Sequence, residues 1–493
     1  MATRDPAPIP WPLSSFPGSS SQESSGRLVN CYAEPLGDQD RPTGPNTAVW
    51  RRAPGLSQYT ATTQTGYRGG LIVNNLSYEV FKNNVSTVDG GGIVATIGAM
   101  PGTKKVSIAR DQANPPDVVA VDLDNGAYVL TGVGAPAAYN GSGVLPQPNS
   151  VSFQDGYFFY TIADGRVFAS AINSVGAINA LTFITCQAKS DVTLLRGIAF
   201  AGVMFFFTTG SCEVWADNAN VAPSFPYNRL MVLEKGLVQS NAVAGFETGF
   251  SELCWVAQDY GVYWSTPSNP FAPIKVSPPD LEKLIEAQVK ANMTLEASCY
   301  AFAGKKKWVL SSPAWTWEFD ITSQKWNERT SLAATGLQGR WRATGGHPAF
   351  GFWLMGDELS GNLLYIDSTN YTENGAPQLF RMESGPVDDF PSNIRVARAD
   401  FDFVGGVGIA TGATPNIVAP VVAISLSKDG GYNWGNPLVR SLGLQGKSRR
   451  LRIAVKNMGM TGPMGARWRM DISDPCYSAF LKATMSSNPR EGD

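Results

Sequence analysis

Between about residue 60 and residue 380 the chain alternates short apolar runs with tight clusters of turn residues. LIVNNLSYEVFKNN (71–84) reads as strand, Asn-Asn turn, strand, and VVAVDLDNGAYVL (118–130) repeats the form around Asp124-Asn125-Gly126. SFQDGYFFYTIADGRVFAS (152–170) does so twice, at Asp155-Gly156 and Asp164-Gly165. GIAFAGVMFFFTTGSCEVWAD (197–217), LCWVAQDYGVYWS (253–265), the stretch 299–329 and FWLMGDELSGNLLYID (352–367) continue the series. Asn-Gly, Asp-Gly and Gly-x pairs supply the positive φ that two-residue hairpins need. A unit of apolar strand, tight turn and aromatic-bearing strand recurring roughly every 40–50 residues has the spacing of propeller blades. Six or seven blades fit within 59–380. One helix is predicted, over SPPDLEKLIEAQVKA (277–291), with Ser277 opening it and Asp280 and Glu282 in its first turn.

The two ends differ. Residues 1–58 are rich in Pro, Ser and Gly, with too little apolar periodicity to bury a core, and are expected to form an extended arm lying on another surface. After 380 the repeat stops. VARADFDFVGG (396–406), VVAISLSKDGGYNWG (421–435), RRLRIAVKN (449–457) and ARWRMDISD (466–474) alternate as four strands of a small β-sandwich, so 381–493 is expected to be a C-terminal β domain. MSSNPREGD at the end reads as a solvated tail. The fold class expected is all-β: a β-propeller with an N-terminal arm and a C-terminal sandwich-like domain.

Composition supports this. Among 493 residues there are 51 Gly and 33 Pro, 11% aromatics and only 16% charged residues, a balance of turn formers and strand formers. A net charge of −2 offers no global field for nucleic acid or anionic membrane. The six cysteines are dispersed without a C-x-x-C pair, so they are expected as core thiols of a protein made in a reducing compartment. The longest apolar run, 197–207, is too short to span a bilayer as a helix, so no stable membrane insertion is expected. The N-terminus has no apolar segment of the secretory kind, and assembly in the cytoplasm is expected.

Chemistry-bearing patterns are few. Ser427, Asp429, Gly431 and Trp434 spell S-x-D-x-G-x-x-W, an Asp-box. Its expected roles are structural: Asp429 caps turn N–H groups, Gly431 is left-handed, and Trp434 packs beneath the hairpin. His347 is the only histidine, set in the Gly/Pro loop TGGHPAF and expected at a surface turn, so no histidine-based catalytic or metal set is built. A pair of carboxylates could serve a glycosidase, but nothing in the pattern selects one. Asp122-Leu-Asp124-Asn125-Gly126 lacks the remaining ligands of a calcium loop and reads as a hairpin. No phosphate-cradling loop occurs. No catalytic, cofactor or metal residue is therefore assigned, and no enzyme activity is expected. Gly435 to Met470 contains eight Lys or Arg and no Asp or Glu. Arg450, Arg452 and Lys456 alternate onto one strand face there. This face suits a phosphate-tracking surface, an interface to an acidic partner, or a solvated edge that resists pairing. Lys305, Lys306 and Lys307 are expected in a solvated hairpin turn.

Three segments resemble the packaged-DNA stabilisation proteins, or tail hubs (nozzles), of short-tailed double-stranded-DNA bacteriophages. RLVNCYAEP followed by RRAPGLSQY resembles the family's opening VN-x-[hydrophobic/Tyr]-x-x-P stretch and its basic strand ending in Pro-Gly. RLMVLEKGLVQSNAV (229–243), preceded by SCEVWAD, resembles its Lys-Gly-[Ile/Leu] turn. ISLSKDGGYNWG and SRRLRIAVKN resemble its closing hairpin and Arg-rich strand. The resemblance implies a virion tail protein with a propeller and added β-structure. It further implies a ring, typically a homo-hexamer, below the portal–adaptor that extends the DNA channel and retains packaged DNA until ejection. Such a ring would anchor the tail plug or needle and the fibre or spike proteins. On that basis Arg51, Arg52, Arg449, Arg450, Arg452 and Lys456 are candidates for subunit or adaptor contacts, with genomic duplex DNA passing through the lumen. A rival of another class is a glycan-binding or glycan-cleaving tail protein that uses a propeller face. A third is a monomeric propeller scaffold of a host cell.

Overall fold

The computed structural model describes residues 6–36, 48–188, 193–220, 224–409, 415–447 and 453–489. The chain divides into two compact units. One comprises Gln58–Pro313 and Arg342–Ile366, the other Met1–Ser57, Ala314–Trp341 and Asp367–Asp493.

The first unit is a β-propeller. Five four-stranded antiparallel sheets follow one another in chain order, over 67–99, 106–139, 150–185, 194–233 and 243–275. The hairpin Glu296–Phe302 with Lys305–Ser311, and the meander from Ala343–Ala349 through Phe352–Asp357, come next. The first strand of each group lies beside the first strand of the next. Tyr67–Val73 adjoins Val106–Arg110, then Ser150–Gln154, then Leu194–Phe200. The last of these adjoins the turn Phe246–Thr248 that follows Val243–Ala244. Glu296–Phe302 and Ala343–Ala349 complete the circle, and Ala343–Ala349 returns to Tyr67–Val73. Among the described residues seven inner strands close the ring. The chain seals the last blade from outside, where the Thr62 amide bonds to the Gly361 carbonyl at 2.8 Å.

Local chemistry sets the hairpins. Asn74 and Asn75 take φ of 48° and 62°, and Asp155 takes 49° before Gly156, as two-residue turns require. Asp122 shows why the calcium-like stretch is a hairpin: its Oδ1 accepts the amides of Asp124 (3.0 Å) and Asn125 (2.8 Å), and its other oxygen is paired with buried Arg68. Apolar side chains fill the gaps between blades, with Val119 and Val121 against Val151, Phe158 and Tyr160, and Phe159 against Phe206 and Tyr227. The predicted helix is present as Pro279–Lys290. Ser277 does not cap it; its hydroxyl bonds to Glu282 (2.6 Å) and accepts from the Val262 amide (3.0 Å). The lysine triplet is not a turn. Lys305–Ser311 is a strand, with Lys306 on Glu252 (3.0 Å) and Lys307 fully buried.

The second unit is a sandwich of two sheets. One runs in the order Cys31–Pro35, Ala48–Arg52, Ala479–Pro489, Ile394–Phe403, Ile453–Met460, with Ala7–Pro8 also on Ala479–Pro489. The other places Arg27–Val29 between Lys325–Arg329 and Phe380–Glu383, followed by Arg467–Ile472, Val421–Ser427 and Leu438–Ser441. Between them lies a core that includes Leu28, Trp50, Phe401, Ile424, Trp468 and Phe480. Two expectations are corrected here. The segment 1–58 is not an arm laid on another surface, because Leu28, Cys31, Ala33 and Trp50 are buried in this core. The tail is not free as far as Pro489, because Ala479–Pro489 pairs along the full length of Ile394–Phe403. Among the described residues no helix is long and apolar enough to cross a membrane.

Candidate functional site

The described contact candidates and the Asp-box fall in the sandwich unit, and the structure separates them. Arg52 is 4% exposed. Its guanidinium donates to Gln378 Oε1 (3.0 Å) and to the carbonyls of Gln378, Asp474 and Cys476. With its donors used inside the chain, Arg52 staples two connections together and is not a contact residue. Arg51, half-buried, is held by Glu34 and the Tyr477 hydroxyl. Lys456 is exposed on Ile453–Met460, opposite Arg398 in register. Arg449, Arg450 and Arg452 lie outside the described residues. Elsewhere in the basic stretch the cations divide by burial. Arg467 is buried and bonds to the Ser24 carbonyl, whereas Lys447 is exposed.

The Asp-box hairpin is built by side chains capping backbone. The Ser427 hydroxyl donates to Asp429 Oδ1 (2.7 Å) and accepts the Gly431 amide (2.8 Å). Asp429 also accepts from the Asn433 amide (2.9 Å) and side chain (2.7 Å), and Gly431 sits at φ 102°. Trp434 carries the Arg469 guanidinium 4.4 Å above its ring. Burial pushes the Asp429 carboxyl upward, but the N–H donors of Asn433 and the Ser427 hydroxyl outweigh that and hold it below the usual carboxylate range. A carboxyl depressed on folding stabilises above its unfolded pKa of about 4, and that contribution is lost as pH falls through the lower folded value. Asp429→Ala is expected to cost about 1–2 kcal/mol near neutral pH, from the loss of several modest hydrogen bonds. Urea denaturation as a function of pH checks this: the variant's deficit is expected to shrink below about pH 4.

The propeller axis holds the constellation that the sequence did not disclose. A cavity of about 130 Å³ is lined by Tyr67, Gly70, Lys105, Arg196, Glu247, Glu296, Thr344 and His347, among others. His347 is therefore corrected from a surface turn to a buried axial residue, 4% exposed. A register shift between Thr344 and His347, the work of Gly345 and Gly346, turns its ring inward. Its Nε2 stands 2.8 Å from the Ser77 hydroxyl and 3.2 Å from Glu79 Oε1, and Ser77 donates to the same Oε1 at 2.7 Å. Lys105 Nζ donates to the Tyr67 carbonyl and the Thr344 hydroxyl, both at 2.8 Å, and lies 3.6 Å from Glu296. Arg196 reaches Glu247 at 3.3 Å, and Ser152 donates to the other oxygen of that carboxylate. Burial, with Glu79 next to it, raises the Tyr67 phenol well above its ordinary pKa, so it stays protonated.

Two cation–carboxylate pairs and the contact of His347 with Ser77 and Glu79 thus crowd the axis. In the sequence the one available signal was Ser77-Tyr-Glu79 inside an otherwise apolar strand, since a carboxylate in a doubly buried strand needs a partner. Among the described residues no group of three or more His, Cys, Asp or Glu is arranged to hold a metal ion.

No family model and no curated protein matches the chain. Among solved structures it is similar to a catalytically inactive virginiamycin B lyase from Staphylococcus aureus with quinupristin, at 12% identity and a TM-score of 0.39, covering 63% of this chain and 98% of that one. It is also similar to the WD40 β-propeller domain of Doa1, at 8% identity and a TM-score of 0.38, over 64% and 96% of the two chains. A third is the computationally designed Ika8 protein, at 10% identity and a TM-score of 0.35, over 63% and 99%.

Proposed function

We propose that the protein is a structural virion component of a short-tailed double-stranded-DNA phage, a tail-hub subunit that assembles as a ring below the portal–adaptor. The observation that supports this reading is where the family-like segments lie. The opening RLVNCYAEP and RRAPGLSQY stretches supply Arg27–Val29, Cys31–Pro35, Ala48–Arg52 and Gly55–Ala61. The closing stretches supply Val421–Ser427 and Ile453–Met460 to the sandwich unit that holds the first three of these. Segments of this kind, joining chain start to chain end, suit a subunit that carries added β-structure as a docking body.

The axial side chains bear on the path of DNA. A propeller axis occupied by Lys105–Glu296, Arg196–Glu247 and His347–Glu79 leaves no room for a duplex, so on this reading the lumen runs between copies. A net charge of −2 suits such a conduit, because each phosphate neutralised adds salt-dependent affinity that would slow ejection. Plug or needle and fibre or spike proteins would dock on the outer faces of the ring. The test is to mix the purified protein with its phage's portal–adaptor complex and image the product by negative-stain microscopy. Coaxial docking, weakened by Arg449→Glu with Arg450→Glu, is expected. Absence of docking would contradict the proposal.

A further inference from the structure

We propose that Asp111 and Asp117 hold a calcium ion where the propeller sheet 106–139 meets the sheet 150–185. The inference concerns the propeller unit alone and is independent of ring assembly. Asp111 is completely buried. It closes the loop between Val106–Arg110 and Val118–Asp122. Its amide donates to the Asp117 carbonyl at 3.0 Å, and its Oδ1 accepts the amides of Ala113 (3.2 Å) and Asp117 (2.7 Å). That is the ordinary work of a loop aspartate, and it uses one oxygen. The other, Oδ2, is buried and has no hydrogen-bond partner among the described residues. No Lys, Arg or His among them pairs with Asp111 or with Asp117. Arg110, the nearest cation in sequence, is exposed and makes no ion pair with a described residue.

A carboxylate out of water and without a cation is more unfavourable than a missing hydrogen bond alone. Here two carboxylates stand together. The Asp117 amide sits on Asp111 Oδ1, and both side chains act on one phenol: burial first, then Tyr139, then Asp117 and Asp111 hold the Tyr160 hydroxyl well above its ordinary pKa. Asp117 is half-buried; its Oδ2 takes the Val175 amide at 3.3 Å, and its Oδ1 accepts from no described residue. Two negative charges, one of them sealed from solvent, match a divalent cation. Carboxylate oxygens are hard donors and favour calcium or magnesium over zinc or copper. Calcium is the better fit, because it accepts irregular sets of about six to eight oxygens, whereas magnesium demands a near-ideal octahedron. The facing loop and solvent offer neutral oxygens to complete the shell. Asn173 Oδ1 there holds the Gln112 amide only at 3.4 Å, and Gln112, Asn114 and Pro115 are exposed to water. An ion so placed would tie the loop 111–117 to the loop 173–175 of the next sheet, so the propeller's stability would depend on calcium.

Calorimetry with calcium chloride, terbium luminescence and thermal melts on the EDTA-treated full chain test the proposal. A saturable calcium site is expected, with magnesium and zinc binding more weakly and the melting temperature rising with calcium. Terbium in the same site is expected to be sensitised by the neighbouring Tyr139 and Tyr160 and displaced by calcium. Asp117→Asn is expected to weaken binding on the order of tenfold, as the ligand charge falls, and Asp111→Asn to abolish it. Should Asp111→Asn fail to fold, half-buried Asp117 carries the test. Asp124→Asn, in the calcium-like hairpin stretch, is the control and is expected to keep the affinity of the wild type. No saturable calcium or terbium binding by the folded chain, tighter binding of magnesium or zinc than of calcium, unchanged affinity in folded Asp117→Asn, or an equal loss in Asp124→Asn would each overturn the proposal.

Discussion

Arg329→Ala is expected to destabilise the sandwich unit by about 3–5 kcal/mol, as breaking a buried ion pair from one side does. Arg329 is 0% exposed and lies 3.8 Å from Glu318 and 3.7 Å from Glu373, both buried as well. Its guanidinium stacks 4.4 Å above the Trp341 ring and donates to the Pro54 carbonyl at 3.1 Å. Glu373 also accepts from Trp341 Nε1 (3.0 Å) and Ser331, so the cation is one node of a network. Truncation removes the charge that offsets two carboxylates while those carboxylates stay away from water. The penalty therefore exceeds the worth of any one contact. Urea denaturation followed by tryptophan fluorescence measures it. Adding Glu318→Gln and Glu373→Gln to Arg329→Met is expected to recover part of the loss, a coupling that a purely steric role would not produce. A loss below about 1 kcal/mol, the range of an exposed ion pair, would contradict this account.

Phe480→Ala is the second large effect, expected at about 3–5 kcal/mol for a phenylalanine removed from a packed core. Phe480 is fully buried, with ring centroids 5.0 Å from Trp11, 5.6 Å from Trp50 and 5.1 Å from Phe403. These rings join the chain's first 50 residues to its last hundred, so the cavity left behind lies where remote segments meet. Edge-to-face geometry adds to the area term in such clusters. Phe480→Leu is expected to cost less than half as much, since most of the volume is kept. Thermal melts of the two variants against the wild type check the order. Equal losses would show that the retained volume contributes nothing and that the ring contacts with Trp11, Trp50 and Phe403 carry the whole effect.

The propeller was legible in the sequence because its hairpins use turn residues with a mechanism. Asn74-Asn75 and Asp155-Gly156 announce positive φ, and the strands on either side alternate. Other turns were silent. Ala201, Ala303 and Phe350 take φ of 53°, 45° and 53° ahead of a glycine, conformations their side chains disfavour. At Phe350 the packing explains the exception, because the ring stacks on Tyr59 at 5.8 Å with an interplanar angle of 5°. The sandwich was half legible. Its four later strands alternate clearly, but Arg27–Val29 and Cys31–Pro35 are too short to show a period, and Ala479–Pro489 ends in polar residues that read as solvated.

The axial cavity was hidden for a further reason. Its residues come from strands separated by up to 280 positions, as Tyr67 and His347 are, in short runs such as 67–71 and 344–347. Sequence order brings none of them together; ring closure does. His347 was misplaced because Gly345-Gly346 reads as a surface loop, whereas it acts as a bulge that aims the ring inward. Arg52 was misplaced because a basic pair suggests solvent, whereas the carbonyls of Gln378, Asp474 and Cys476 supply acceptors that can hold a buried guanidinium.

The measurement that tests the central claim most directly is the mass and shape of the purified full chain by sedimentation, alone and with the portal–adaptor complex. The account predicts a ring of several copies, or a monomer that becomes one on the adaptor, with its lumen between propellers. A chain that remains a monomer in both conditions would contradict it.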